Sequence, residues 1–489
     1  MKITIKYTMA LMLVTSMFGC KEYLDVNTDP NNPTDVGVEF ILPAAQSSVA
    51  VTMGGTFQNL GGFWSQYYTQ STTASQYKTM DAYNLTTDEF DREYTSAYAG
   101  GLNDLEVIRQ KATADGDNGY YLIATLLQCY EYQMIADIYD NIGFSEALKG
   151  ESDGIYSPKL DNGSDVYPVL LDRIDEAVAR YQDGSLGKDP SDRDIVYGGD
   201  MAQWVAFGNT LKLKLYMRMS YTSMANPGAV QALLAEGNFI TADATMIQFA
   251  DEIGKQNPMY GVDKEFHSDV NQRASNTLMN YLVDNNDPRL DVVYTVPGAG
   301  IHKGNIQGDY DNLDIKGTDL STINYGPSTP VYFISVAEKD FLVSEAELRY
   351  GSAGNAQASY EAGIESSFSM HGLSGASALY GSGGPYEYDL SLNTESQLGQ
   401  IMMQKWVALA NVSNLEAFFE TNRTHYPPVS NKPQGEEGDI GELTISFASV
   451  LPEGQTPKRL FIPDVVVSRN SSNITQAPNL YKKVWWDKK

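Results

Sequence analysis

The chain has 489 residues, of which 42% are hydrophobic and 20% are charged, and this balance excludes a disordered, collagen-like or fibrous protein. Its 62 acidic side chains outnumber its 34 basic ones, and the resulting net charge of −28 repels phosphate backbones, so we expect no nucleic-acid partner. The two cysteines, Cys20 and Cys129, are too few and too far apart for a disulfide framework or a structural zinc site.

The first twenty residues predict an export signal that ends at a lipid-modified cysteine. Two lysines precede a short apolar run, and Gly19 stands directly before Cys20. The run is about ten residues long, whereas a membrane-spanning helix needs about twenty. We therefore expect residues 1–19 to be a signal peptide, Cys20 to be acylated as in a bacterial lipoprotein, and residues 20–36 to form a polar tether. The alternative is a soluble secreted protein that is cut nearby.

Four stripes of apolar residues at helical spacing predict amphipathic helices in the middle of the chain. The stripes are Leu102, Leu105, Ile108 and Ala112; Ile123, Leu127, Tyr130 and Met134; Val166, Leu170, Ile174, Ala177 and Tyr181; and Trp204, Phe207, Leu211 and Leu215. The breaks between them at 114–119 and 149–154 are short, which favours antiparallel helical hairpins. Cys129 falls in the second helix, where we expect a small buried apolar residue.

The segment Asp340–Phe368 resembles one tetratricopeptide unit. Small Ala346 lies in its first half, a turn follows Tyr350, and further small and aromatic residues lie in its second half. In such units small residues let two helices approach closely, while an aromatic ring fills the gap between them. Residues 128–150 and 401–423 look like degenerate copies. We therefore predict a mainly α fold on a tetratricopeptide-like scaffold of roughly four helical hairpins.

Long stretches rich in Gly, Pro, Asn, Ser and Tyr predict a loop-rich, irregular lobe. They are residues 254–330, 369–399 and 425–480, and they contain short extended runs such as Leu443–Phe447 and Arg459–Val467. Long ordered loops on a rigid scaffold are usual places for recognition. Because loops and helices alternate along the chain, we expect residues 37–489 to form a single body with two lobes and few short strands.

No catalytic constellation stands out in the sequence. The pattern G-x-S-x-G occurs at Gly150–Gly154, but it follows a predicted helix, whereas the serine hydrolase motif joins a strand to a helix. The four histidines never stand three to five residues apart, so the sequence holds no helical pair of metal ligands. Asp287, directly before Pro288, is expected to be a helix N-cap. We therefore predict no catalytic residue, no metal and no cofactor.

Tyrosines and tryptophans in the loops are the candidate ligand contacts. The chain has 32 tyrosines and 5 tryptophans, and many of them stand beside Gln, Asn, Ser or Asp. A flat ring flanked by amides and carboxylates suits a neutral sugar, although the same surface would also hold an extended peptide. The alternative is that such rings fill gaps between loops and scaffold. The candidates are Trp64, Gln66, Tyr68, Tyr77, Tyr83, Asn305, Tyr310 and Tyr325.

Several segments, in the same order, resemble one family over almost the whole chain. They are Cys20 with the following KEYLDVNTDPNNPT, then ADIYDNIGFSEAL, WVAFGNTLKLKLYMRMS, NDPRL, FISVAEKDFLVSEAELRYGSAGNAQASYEAGI, QKWVALANVSNLEAFFETNRT and PKRLFIPDVVVSRNSSN. These segments resemble the SusD/RagB-like outer-membrane lipoproteins, in particular their second SusD-like subgroup.

The resemblance implies a tetratricopeptide-containing α-helical protein, anchored by lipid at the cell surface, that caps a SusC-like TonB-dependent transporter in the outer membrane. Members capture glycans, or in some cases peptides, deliver them to that transporter, and are not enzymes. The helical hairpins would face the transporter, and the loop-rich lobe would close over the nutrient. Two other classes remain open at this point, namely a secreted glycoside hydrolase and a helical-repeat adaptor that binds only protein.

Overall fold

The computed structural model describes residues 36–265, 270–298 and 300–489. The predicted signal peptide at residues 1–19, the acylated Cys20 and all but the last residue of the tether at residues 20–36 lie outside the described residues, so these assignments stay predictions. Within the described ranges, no helix combines the length and the apolar character that crossing a membrane requires.

Helices make up most of the regular structure, as the sequence predicts. They are α1 (Val38–Gly54), α2 (Thr56–Trp64), α3 (Lys78–Asp81), α4 (Asp91–Ser96), α5 (Asn103–Asp115), α6 (Asn118–Tyr139), α7 (Gly150–Asp153), α8 (Gly163–Asp183), α9 (Met201–Arg218), α10 (Pro227–Glu236), α11 (Pro258–Tyr260), α12 (Asn276–Asp284), α13 (Leu290–Val293), α14 (Val336–Tyr350), α15 (Ala353–Met370), α16 (Ser377–Tyr380), α17 (Thr394–Leu409), α18 (Asn414–Thr424) and α19 (Asp464–Arg469). Two π-helical segments, Ala97–Leu102 and Gly261–Glu265, and a 3₁₀ turn, Gly317–Asp319, complete them.

The strands are few and short, again as predicted. They are β1 (Tyr68–Gln70), β2 (Asn141–Ile142), β3 (Asp161–Asn162), β4 (Ala244–Met246), β5 (Gln272–Ala274) and β6 (Val331–Ile334). They pair antiparallel as β1 with β5, β2 with β3, and β4 with β6. Each pair fastens a loop to the helical scaffold, and the first pair directly follows α2.

The predicted helical hairpins are present. Sequential neighbours pack against each other as α5 with α6, α8 with α9, α14 with α15, and α17 with α18. The α14–α15 pair is the segment that resembles a tetratricopeptide unit, and its Ala346 is fully buried. A Cβ atom at Gly363 would lie 2.8 Å from the ring of Phe341, so this glycine lets the two helices approach closely. The mainly α fold class is therefore confirmed.

Helix α6 differs from its prediction as an amphipathic helix, because every one of its residues is buried. It lies among α1, α5, α8 and α9, and a helix surrounded on all sides needs no polar face. Its Cys129 is buried as expected, and burial raises the pKa of the thiol to about 11. The predicted repeat copy at 128–150 is wrong, since α6 is followed by β2 and the one-turn helix α7. The copy at 401–423 does form a hairpin.

Two local predictions are corrected by the structure. The run Arg459–Val467 is helical from Asp464 onward. Asp287 is not the N-cap of α13, which is Arg289; the Asp287 carboxylate accepts a hydrogen bond from the Arg289 backbone N–H at 2.9 Å and pairs with its buried guanidinium at 2.6 Å, and a buried charge needs such a partner. The G-x-S-x-G pattern lies in α7 and its left-handed cap Gly154, with φ of 71°, and is not a strand–turn–helix elbow, as expected.

A buried ion-pair cluster connects five of the scaffold helices. Its members are Asp137 of α6; Lys214 and Arg218 of α9; Glu338, Glu345 and Arg349 of α14; Lys405 of α17; and Glu416, Glu420 and Arg423 of α18. The cluster thus contains five acidic and five basic side chains. Although burial raises the pKa of Glu420, the neighbouring Arg423, Lys405 and Arg218 hold it well below its usual range. These charges compensate one another inside the scaffold.

Candidate functional site

All eight side chains predicted to contact a ligand are buried. Tyr310 has the largest exposed fraction, 8%, and Tyr68 has none. The complete set is Trp64, Gln66, Tyr68, Tyr77, Tyr83, Asn305, Tyr310 and Tyr325. A ligand that arrives from solvent therefore meets one of them only where a cavity reaches it.

Five of the eight hold loops in place. The hydroxyl groups of Tyr68, Tyr77 and Tyr325 donate hydrogen bonds to main-chain carbonyl oxygens at 2.6 to 3.1 Å. The side-chain amide of Asn305 donates to another carbonyl oxygen at 3.0 Å, and the Tyr310 ring centroid lies 4.5 Å from a lysine ammonium. These contacts correspond to the gap-filling alternative of the sequence analysis. A ligand-binding role for these five stays a prediction.

The other three, Trp64, Gln66 and Tyr83, line one cavity of about 350 Å³, which we call the Trp64 cavity. Its volume falls in the range of roughly 300 to 1,000 Å³ that is usual for ligand pockets. The remaining wall comes from the second half of α18 and from the loops at 425–429 and 454–458. Side chains that are nearly 400 residues apart in the sequence therefore meet here.

Three helices end at the Trp64 cavity. After each of them, a residue other than glycine occupies a position where glycine is common. Gln66 and Tyr83 come two residues after the last residues of α2 and α3, and His425 directly follows α18, with left-handed φ of 58°, 58° and 61°. A side chain in this conformation costs about 1–2 kcal/mol, which is why glycine usually follows a helix end. Three of the seven non-glycine residues with left-handed φ among the described residues therefore line this one cavity.

The inner wall of the cavity is fixed by hydrogen bonds. The Gln66 side-chain oxygen accepts from the Thr277 hydroxyl at 2.7 Å and from the Thr444 backbone N–H at 2.9 Å. The Trp64 indole N–H donates to the Met80 carbonyl at 3.1 Å. Because these polar atoms are already bonded, the tryptophan offers a ligand its ring surface. A wall fixed in this way avoids the entropic cost of ordering on binding.

The aromatic part of the wall combines two rings. The Trp64 and Phe418 ring centroids lie 4.9 Å apart, with 54° between the ring planes. Aromatic surface of this kind packs well against the apolar face of a sugar ring or an aliphatic side chain.

Polar groups with unused bonding capacity also line the Trp64 cavity. The Thr421 hydroxyl is buried and has no hydrogen-bond partner among the described residues. The Lys458 ammonium donates to Asn422 Oδ1 at 2.6 Å, which occupies one of its three N–H donors. Burial lowers the pKa of both Lys458 and His425. These groups can therefore bond the oxygen atoms of a ligand.

A second, larger cavity of about 430 Å³ lies between the first π-helical segment, α19 and the loop around Tyr156. Its wall is mostly carbon, with the stacked rings of Tyr94 and Tyr98 at a centroid distance of 4.6 Å. Such a wall would leave the hydroxyl groups of a sugar without partners. The Trp64 cavity is therefore the stronger candidate for a hydroxyl-rich ligand.

The described residues contain no group of three or more His, Cys, Asp or Glu side chains placed to hold a metal ion. The sequence analysis missed Phe418, Thr421, Asn422 and Lys458 as cavity residues, because nothing local in the sequence connects them with Trp64. Among the lining residues that were not predicted, His425 carries a local signal, a non-glycine residue where glycine commonly follows a helix, and using that signal requires the helix boundary to within one residue.

The sequence was compared with models of protein families, and the structure with solved structures. The model of the SusD-like_2 family, described as starch-binding and associating with the outer membrane, matches residues 30–443. A SusD homologue from Bacteroides uniformis superposes with a TM-score of 0.75 at 22% identity, over 92% of this chain and 100% of that one.

A chitin-binding SusD homologue from Flavobacterium johnsoniae superposes with a TM-score of 0.77 at 20% identity, over 91% of this chain and 98% of that one. At such low identity these two similarities show a shared fold. No curated protein matches the chain in sequence.

Proposed function

Because the chain belongs to the SusD-like_2 family, which is described as starch-binding and associating with the outer membrane, we propose that it binds oligosaccharide nutrients at the cell surface. The lipid on Cys20 anchors the protein in the outer membrane. The body acts as the lid of a SusC-like TonB-dependent transporter and delivers its cargo to that transporter without cleaving it.

The Trp64 cavity is the observation that carries this proposal. A pyranose ring has apolar faces and a rim of hydroxyl groups, so it needs aromatic surface on one side and hydrogen-bonding groups on the other. Trp64 and Phe418 supply the aromatic surface, while Thr421, Asn422 and Lys458 supply polar atoms. We propose Trp64, Gln66 and Tyr83, three of the residues predicted from the sequence, as part of this binding site.

The composition of the cavity also favours binding over hydrolysis. Most glycoside hydrolases use two carboxyl groups, roughly 5 to 9.5 Å apart, on either side of the bond that they cleave. None of the described residues that line the Trp64 cavity is Asp or Glu. This lining supports a binding protein and argues against the glycoside hydrolase that the sequence left open.

The start of the described chain supports an orientation with the helical hairpins towards the membrane. The Val36 carbonyl oxygen accepts a hydrogen bond from Lys111 Nζ of α5 at 2.8 Å. A tether that begins at a lipidated Cys20 would therefore reach the body beside the α5–α6 hairpin.

Calorimetry with a panel of starch, chitin and other oligosaccharides, and with peptides, tests the cargo. We expect oligosaccharide binding with dissociation constants in the roughly micromolar to millimolar range and no new products in chromatography of the mixture. Cleavage of a glycosidic or peptide bond by the purified chain would contradict the proposal. Binding of peptides alone would replace the sugar with the other cargo known in this family.

Fractionation of cells tests the anchor and the partner. The native chain should co-purify with a TonB-dependent transporter from detergent extracts of the outer membrane, identified by mass spectrometry. Cys20→Ser should release the chain into the soluble fraction, because a lipid anchor and not a spanning helix is proposed to hold it. A membrane-bound Cys20→Ser chain would contradict the lipoprotein assignment.

A further inference from the structure

The Trp64 cavity is lined by basic side chains and by no acidic ones. Lys458 and His425 line it, and none of its described lining residues is Asp or Glu. The whole chain has the opposite balance, with 62 acidic and 34 basic side chains. A locally basic cavity in an acidic protein creates a potential that attracts an anion, while the rest of the surface repels it.

Lys458 is the main source of this potential. Its ammonium is partly buried and bonds the neutral side-chain oxygen of Asn422 at 2.6 Å. No carboxylate of the described residues lies within ion-pair distance of it, in contrast to the lysines of the buried ion-pair cluster. Since burial disfavours its charge and lowers its pKa, an arriving anion would supply the missing compensation.

One acidic side chain that does not line the cavity, Asp487, also attracts Lys458. It is 1% exposed, and it pairs with Lys483 Nζ at 3.0 Å. Burial lowers the pKa of Lys458, the attraction of Asp487 raises it, and the repulsion from Lys483 lowers it again, with a lowered pKa as the result. Asp487 is therefore shared between Lys483 and Lys458, and it offsets only part of the cost of burying the Lys458 charge.

The end of α18 does not cancel this charge. A helix C-terminus carries a partial negative charge that disfavours anions nearby. Lys489 Nζ donates a hydrogen bond to the last carbonyl of the helix, that of Thr424, and also pairs with the exposed Glu395. The ammonium of Lys489 thus offsets the helix end, and together with Lys458 and Lys483 it lowers the pKa of His425.

Thr421 adds a second donor to the same wall. Its hydroxyl oxygen is buried and has no partner among the described residues, and it comes one residue before Asn422, the partner of Lys458. A hydroxyl rotates freely and can donate to an anion, and a carboxylate accepts bonds on both oxygens. An unpartnered buried hydroxyl that lines the same cavity as an ammonium is a suitable partner for one carboxylate.

We propose that the Trp64 cavity binds the carboxylate of an acidic sugar, such as a uronic acid residue of an oligosaccharide, through Lys458 and Thr421. The apolar face of the sugar ring packs on Trp64 and Phe418. This inference rests on the proposed function, because it names the class of oligosaccharide that the same cavity takes.

Calorimetry with an α-1,4-linked oligogalacturonate and its carboxyl-reduced, neutral counterpart tests the inference. The two probes have the same length and linkage and differ only in charge. We expect the acidic probe to bind the native chain at least about tenfold more tightly, and added salt to reduce this preference. Lys458→Met should remove the preference, because it should weaken the acidic probe far more than the neutral one, and Thr421→Val should reduce the preference about threefold.

Lys316→Met is the matched control, since Lys316 is exposed and the described residues contain no ion pair with it. This substitution removes one positive charge outside the Trp64 cavity, and it should leave the affinities for the acidic and the neutral probe unchanged. Thermal unfolding of each variant establishes that it is folded before titration. An equal loss of the preference in Lys316→Met would mean that net charge alone is responsible, which would overturn the inference.

The other possible results distinguish a failure of the acidic-sugar inference from a failure of the proposed function. Equal binding of the acidic and neutral probes by the native chain overturns the inference and leaves the proposed function in place. If neither probe nor any other oligosaccharide binds, the proposed function itself fails. If only peptides bind, and Lys458→Met weakens them, the carboxylate belongs to a peptide end and the acidic sugar is ruled out.

Discussion

The buried ion-pair cluster and the Trp64 cavity both place charge inside the protein, but the charged groups have different kinds of partner. In the cluster, Arg218 lies between Asp137, Glu416 and Glu420, and every basic group has an acidic partner. In the cavity, Lys458 bonds a neutral amide. The difference indicates that charge in the scaffold stabilises the fold, whereas charge in the cavity is left for a ligand.

This distinction leads to opposite expectations for substitutions. Removing one member of the cluster leaves an excess of buried charge of the opposite sign, so the free energy of unfolding should fall steeply. Removing a basic group from the cavity leaves no carboxylate unpaired, so the loss should appear in ligand binding.

Arg218→Met should destabilise the protein by about 3–5 kcal/mol, because three buried carboxylates lose their shared partner. Urea unfolding followed by circular dichroism measures the change. Lys255→Met is the control, since Lys255 makes an exposed pair with Glu252 at 2.9 Å and should contribute about 0.5 kcal/mol or less. Equal, small effects of the two substitutions would show that the cluster does not carry the stability assigned to it.

Gly61→Ala should destabilise by about 1–3 kcal/mol. A Cβ atom at Gly61 would lie 2.3 Å from the backbone nitrogen of Leu415, where α2 crosses α18. The two helices carry Trp64 and Phe418, so this contact connects scaffold and cavity. Gly354→Ala in α15 is the matched control, because a Cβ there meets no atom within 4 Å and alanine favours helix. A chain with Gly61→Ala as stable as the control would contradict this close crossing.

Glu131 provides a third case, a buried acid without a basic partner. Both of its carboxylate oxygens lack hydrogen-bond partners among the described residues, and burial raises its pKa well above 4.5. The folded state thus keeps this proton at pH values where the unfolded chain has lost it. The stability that Glu131 contributes is present below pH 4.5 and is lost as pH rises towards its folded pKa.

Glu131→Gln removes this titration, so its stability relative to the native chain should increase with pH. The increase can reach about 1.4 kcal/mol per pH unit, the value for one proton. Urea unfolding at several pH values between 5 and 8 measures it, with the exposed Glu151→Gln as control. A difference that stays constant across this range would contradict the raised pKa.

His425→Gly should stabilise the protein by about 1 kcal/mol, because glycine tolerates the left-handed φ of 61° without strain. The same change should weaken oligosaccharide binding, since it removes a side chain of the cavity. Gly116 occupies the equivalent position after α5 with φ of 77° and nothing within 4 Å of an added Cβ. Gly116→Ala should therefore lower the free energy of unfolding by about as much as His425→Gly raises it, and it should leave oligosaccharide binding unchanged. If His425→Gly leaves binding intact, the strained histidine has no role in the cavity.

The scaffold was largely predictable from the sequence, because helical packing leaves a periodic signal. The stripe Leu102, Leu105, Ile108 and Ala112 is buried as predicted, and Asp340–Phe368 forms the expected hairpin. Helix α6 was misjudged because its polar residues, such as Gln128 and Glu131, look like a solvent-facing side although they are buried. A sequence cannot show that neighbours surround a helix on every side.

The cavity was predictable only in part. The aromatic-rich segment Gly61–Asn84 contains Trp64, Gln66 and Tyr83, which line the cavity together, and their contact with a ligand stays a prediction. The same reasoning named Tyr68 and Tyr325, whose rings fill gaps and whose hydroxyls bond main-chain carbonyls. Lys458 was out of reach, because only the folded chain brings a C-terminal loop against the end of α18.

The most direct test of the central claim is calorimetric titration of the tightest-binding oligosaccharide into the native chain and into Thr456→Trp. Thr456 is a half-buried lining residue of the Trp64 cavity, so an indole there occupies the space proposed for the sugar without removing a buried contact. The account predicts that affinity falls by about a hundredfold while the melting temperature stays the same. Equal affinity in the two proteins would show that the cargo binds elsewhere and would contradict the account.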